Sequence, residues 1–131
     1  MYTQDPMPIL DAAAADGIGI PLYVGNADVI DLMLHTTDTT TATIKFQVSH
    51  AKDVPNFAGA QSPTNQWDYV DVVDLEDRSA IDGDTGIALS GGDDNRHLEV
   101  NANGATWICA IVSGYTQGAI SLDATARGEN L

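Results

Sequence analysis

The chain has 131 residues and a mass of 13.8 kDa, the size of one domain built round a single core. Its 19 acids stand against five bases, a formal net charge of -14 that repels phosphate backbones and excludes DNA and RNA as direct ligands of the folded domain. No apolar run approaches the roughly 18 residues of a membrane span, and Met1 to Ile20 lacks the basic start and apolar middle of a secretory signal, so a soluble, unprocessed product without a membrane partner is expected. Cys109 is the only cysteine, which rules out an intramolecular disulfide and a cysteine-based zinc site.

In chain order, residues 1–20 show neither strand alternation nor a sustained helical period. Pro6, Pro8, the alanines at 12–15, Gly17 and Gly19 read as an extended N-terminal arm. From residue 21 the period becomes two. Between Ala42 and Ser49, the residues Ala42, Ile44, Phe46 and Val48 alternate with Thr43, Lys45, Gln47 and Ser49, the pattern of a half-buried strand. Similar runs occur at 21–24, 28–35, 68–75, 86–90, 97–101, 106–113 and 119–126, separated by turn clusters rich in Gly, Asn and Asp.

About eight short strands punctuated in this way predict an all-β chain, a single antiparallel β-sandwich or jelly roll over residues 21–126, with a C-terminal tail at 127–131. The predicted core takes Ile44, Phe46, Val48, Val70, Val72, Leu98, Val100, Ile108, Ala110, Val112, Ile120 and Leu122. Asn103-Gly104 tolerates the positive φ angles of a type I′ turn and predicts a hairpin between the strands at 97–101 and 106–113. The irregular stretch 51–66 is the first candidate for a contact loop, with Pro55 and Phe57 as its partner-binding residues.

The familiar catalytic and nucleotide-binding motifs are missing. There is no Gly-x-Ser-x-Gly elbow, phosphate loop, dinucleotide fingerprint or His-x-His spacing, so the chain is expected not to be an enzyme and to need no cofactor. His35, His50 and His97 read as polar groups at strand ends. Asp82, Asp84, Asp93 and Asp94 lie in two glycine-rich loops and carry the oxygens that calcium takes. Their spacing departs from the EF-hand loop, and Asp-Gly turn chemistry is the expected role, with calcium ligation the alternative. Trp67, Tyr69 and Trp107 offer aromatic faces of the kind that stack on sugars, but their strand positions favour a core or subunit-interface role.

The segments TATIKFQVS, AQSPTNQWDYVDVVDLEDRSAIDGDTGI and RHLEVNANGATWICAIVSGYTQGAI resemble small proteins encoded among the virion genes of tailed phages. The likeness covers roughly residues 22–124 and omits the arm. It implies a bacteriophage structural protein such as a head decoration (cement) protein: a β-rich homotrimer on the outer surface of the virion capsid, partnered by its own copies and by the major capsid protein. A tail or fibre adaptor and a carbohydrate-binding β-sandwich module are the alternatives. On physical grounds, Tyr2, Met7, Ile9, Leu10, Ile18 and Ile20 give the arm apolar side chains to place in a partner's groove, so residues 1–20 are expected to be an anchoring arm.

Overall fold

The computed structural model describes residues 2–91 and 95–129 of the chain. Its described residues form thirteen strands and no helix: β1 (Tyr2–Thr3), β2 (Met7–Ala13), β3 (Gly17–Ile18), β4 (Leu22–Tyr23), β5 (Val29–Thr36), β6 (Thr41–Ser49), β7 (Asp68–Tyr69), β8 (Val72–Asp74), β9 (Ser79–Ile81), β10 (Ile87–Ser90), β11 (Asn95–Asn101), β12 (Trp107–Ser113) and β13 (Ile120–Gly128). They make two antiparallel sheets. One has seven strands in the order β1-β13-β5-β11-β8-β9, with β2 also on β13; the other has six in the order β10-β6-β12-β3, with β4 also on β12 and β7 on β6.

The β-sandwich is therefore as the alternation predicts, and its core is filled from both inner faces. Ile30, Leu32, Leu34, Leu98, Val100, Ile120 and Leu122 of the first sheet meet Ile44, Phe46, Ile108, Ala110 and Val112 of the second, all of them buried. Val48 and Val70 pack against this core from half-buried positions. The additional strands arise where the longer predicted runs break. Residues 68–75 split into β7 on one sheet and β8 on the other, so the chain changes sheet at Val70-Asp71 and the face ambiguity of that run disappears.

The sequence expectations need four corrections. First, residues 1–20 are not a free arm: β2 pairs with β13, and Ile9 and Leu10 are 0% and 3% exposed in the main core. The signal is hidden because the ladder shifts register between Ile120 and Leu122 and again between Leu122 and Asp123. Such irregularities let two consecutive side chains, Ile9 and Leu10, both turn inward, which destroys the period of two. Gly19 then passes so close to this strand that a Cβ there would run into the Ile9 carbonyl oxygen and the Leu10 side chain. The neighbouring Ile20 amide donates to that same carbonyl at 2.8 Å.

Second, β11 and β12 do not form a hairpin. The Asn103-Gly104 turn has the expected positive φ angles of 47° and 81°, closed by a 2.8 Å bond from the Ala105 amide to the Ala102 carbonyl. Yet β11 pairs with β5 and β8, whereas β12 pairs with β6, β3 and β4. The turn crosses from sheet to sheet, because turn chemistry is local and strand pairing is not.

Third, Phe57 is 1% exposed and so is not a contact residue of the loop surface. Fourth, Arg127 and Gly128 belong to β13 and pair with Thr3 and Tyr2, so the strand runs past the predicted boundary of the tail.

Candidate interaction surface

The six-stranded sheet is covered on its outer side in one region and open in another. Along β6 the outward positions are Thr41, Thr43, Lys45, Gln47 and Ser49; along β12 they are Trp107, Cys109, Ile111 and Ser113. The segment 51–67 folds back over the Gln47, Ser49 and Cys109 end. Gln47 Nε2 donates to the Phe57 carbonyl at 3.0 Å, and Ser49 Oγ donates to the Gln66 carbonyl at 2.6 Å. Phe57, Trp67 and Cys109 thereby form a second, smaller apolar cluster, with Tyr69 and Trp107 packed against it.

This cluster is satisfied by packing more than by hydrogen bonds. Gln47 Oε1, Trp67 Nε1 and Trp107 Nε1 are buried without a partner, and an unpaired buried polar atom costs about 1–3 kcal/mol. Burial also pushes the Cys109 thiol up to about 11, against weaker opposing bonds to the Ala110 and Gly19 carbonyls. An open groove of about 930 Å³ borders the cover, lined among others by His50, Gln61, Pro63, Gln66, Trp67 and Tyr69. Trp67 is only 7% exposed and meets Tyr69 edge-on at 5.0 Å between ring centroids, while Lys45 Nζ lies 5.0 Å from the Tyr69 ring centroid. Trp67 therefore presents no open face for a sugar to stack on.

Beyond the cover the same face is apolar and exposed. Strands β3 and β4 set Ile18 beside Ile111 and Tyr23 beside Trp107, and Tyr23 meets the Trp107 ring edge-on at 5.3 Å. Of the predicted contact residues, Ile18 lies here and Ile20 in the link between β3 and β4, 38% and 51% exposed, and Tyr23, which sequence reasoning did not single out, is 51% exposed. Met7 is 47% exposed on β2 at the other sheet, and Pro55 is half-buried in the covering segment. Tyr2 pairs with Gly128. The predicted contact set is thus divided between the core, two different sheets and the loop.

The opposite face, on the seven-stranded sheet, is polar. Asp31, Glu99 and Asp123 stand on it with Met33, and Arg127 bridges Asp31 (Nε to Oδ2, 2.5 Å) and Glu99 (Nη2 to Oε2, 3.6 Å). The hydrogen bond to Asp31 raises the Arg127 guanidinium further above its ordinary value. His35 Nδ1 lies 2.6 Å from Asn95 Oδ1, and His50 Nε2 lies 3.2 Å from the Asn103 carbonyl oxygen.

Of the calcium candidates, Asp82 takes part in a turn: its carbonyl accepts the Gly86 amide at 2.9 Å and its carboxylate accepts the Thr85 hydroxyl at 3.1 Å. Asp84 is exposed, and Asp93 and Asp94 lie outside the described residues. Among the described residues no three His, Cys, Asp or Glu side chains converge as a metal-ligand set.

No family model and no curated protein matches the chain. Two solved structures share its fold. The SPBc2 prophage-derived protein YomS is 11% identical, with a TM-score of 0.70 over 96% of this chain and 95% of that one. The PBSX exported protein XepA is 17% identical, also with a TM-score of 0.70, over 95% of this chain but 37% of its own. The chain thus has the fold of the whole of YomS and of about a third of XepA.

Proposed function

We propose that this chain is a non-enzymatic structural protein of a tailed phage, a decoration protein that associates with its own copies and binds the major capsid protein on the outside of the head. The observation that carries this reading is the fold shared from end to end with a prophage-derived protein, at a TM-score of 0.70 over 96% of the chain. The resemblance of residues 22–124 to virion proteins points the same way. Charge supports the outer surface, since a chain of net charge -14 is repelled by packaged DNA. The task is mechanical and needs no reacting group: a clamp across neighbouring shell subunits adds binding energy that exists only in the assembled lattice.

Mass spectrometry of purified virions with a copy-number estimate tests the proposal. Hundreds of copies are expected, with a trimer as the assembling unit. About six or twelve copies would support the tail or fibre adaptor instead, as ring symmetries of portal and tail require. Absence from the particle would overturn both and favour an exported module, the description that XepA carries.

A further inference from the structure

Sixteen Asp and three Glu are spread over this chain, yet the outward register positions of the six-stranded sheet hold none of them. Those positions carry Thr, Ser, Ala, Gln47 and Cys109, the single cation Lys45, and the apolar Ile18, Tyr23, Tyr69, Trp107 and Ile111. Among the described residues, Asp16 stands ahead of β3, Asp53 in the covering segment, Asp84 ahead of β10, and Asp68 on β7 opposite the inward Val48. The central strands of the other sheet, by contrast, present Asp31, Glu99 and Asp123 outward. This face carries the exposed Ile18 and Tyr23, at 38% and 51%, and the link between their strands adds Ile20 at 51%.

We propose that this face, along β12 and the β3–β4 edge, is where a second copy of the chain docks. Whether a copy meets the same patch or, as round a trimer, a second patch, both sides of the contact come from the same acidic chain. In a molecule of net charge -14, a face bearing Asp and Glu repels its own copy, whereas a neutral apolar one does not. Tyr23 packed on Trp107 supplies the aromatic anchor that dominates such contacts.

The contact is made by side chains and not by strand addition. The Ile20 amide is already taken by the Ile9 carbonyl, and Pro21 has no amide to offer, so the edge between β3 and β4 is a poor template for a new strand. Screening should strengthen the association, because added salt weakens the repulsion between two acidic bodies and leaves apolar burial intact.

The inference rests on the self-association contained in the proposed function and is separate from capsid binding. Sedimentation velocity of the full chain at micromolar concentration tests it. The unmodified chain is expected to sediment as an oligomer, and more tightly so when NaCl is raised from low to physiological strength. Tyr23→Asp should weaken association about 30-fold or more, the effect of losing a hot-spot residue. Met33→Asp adds the same charge at a site just as exposed on the other sheet, 51%, and should change it by less than about 3-fold. Should Tyr23→Asp disturb the fold by circular dichroism, Ile20→Asp serves in its place.

A monomeric chain, salt that weakens the oligomer, or Met33→Asp dissociating it as strongly as the Tyr23 or Ile20 variant would each overturn the assignment. A monomer still found in hundreds of copies on virions would sink this interface and leave the decoration reading standing. An oligomer with the expected variant pattern that is absent from virions would do the reverse.

Discussion

Replacing Ile9 by Ala asks whether the N-terminal strand belongs to the core. Ile9 is 0% exposed, next to Leu10 at 3%, and β2 pairs along β13 from Ala124 to Ile120. Fully burying an aliphatic side chain of this size contributes about 1.5–3 kcal/mol, and truncation leaves a cavity that a two-sheet core fills only in part. The expected loss is about 3 kcal/mol, inside the roughly 2–5 kcal/mol range of such truncations. A urea titration followed by tryptophan fluorescence measures it, with Met7→Ala, at a site 47% exposed on the same strand, as the control that stays within about 0.5 kcal/mol. A loss below about 1 kcal/mol for Ile9→Ala, with an unchanged m-value, would mean that this segment lies off the core.

Phe57→Ala should cost about 3 kcal/mol or more and should speed amide exchange across residues 51–67 before it affects β6 and β12, read by hydrogen-exchange mass spectrometry. Uniform loosening of both sheets would show that the covering segment is not a separate unit. Cys109, raised by burial to about 11, should resist iodoacetamide at pH 8 until the chain is unfolded, and fast alkylation of the native protein would refute its burial. The sign for stability follows: above pH 9 the unfolded thiol ionises while the folded one holds its proton, so stability falls as pH rises from about 9 to 11, and Cys109→Ala should remove that part of the alkaline slope.

What the sequence shows and hides can be followed along β6. Ala42, Ile44, Phe46 and Val48 are legible because the pleat sends every second residue to the core. Gln47 and Ser49 look like solvent positions in that pattern, yet they are 0% and 2% exposed, because a distant segment folds over them. No period announces such a cover. Ile9 and Leu10 were hidden by the register shifts on β13, and Phe57 by the irregular stretch that contains it. The edge that exposes Tyr23 depends on which strands flank β12, and pairing between strands far apart in sequence leaves no local mark. Turn chemistry did survive: Asn103 and Gly104 take the predicted backbone angles even though the strands that they join lie in different sheets.

The pairing of β1 with the end of β13 has a topological consequence. Tyr2 sits directly across the ladder from Gly128, so the chain enters and leaves the sandwich at one corner, a strand spacing of roughly 5 Å apart. A unit with its two ends adjacent can be spliced into a host loop, or strung in series with its own kind, without prising the sheets apart. The same fold accounts for 95% of YomS and for 37% of the longer XepA. For anyone wishing to carry cargo on this scaffold, that corner lies at an end of the seven-stranded sheet, where Gly128 packs against Asn26 and Asp28.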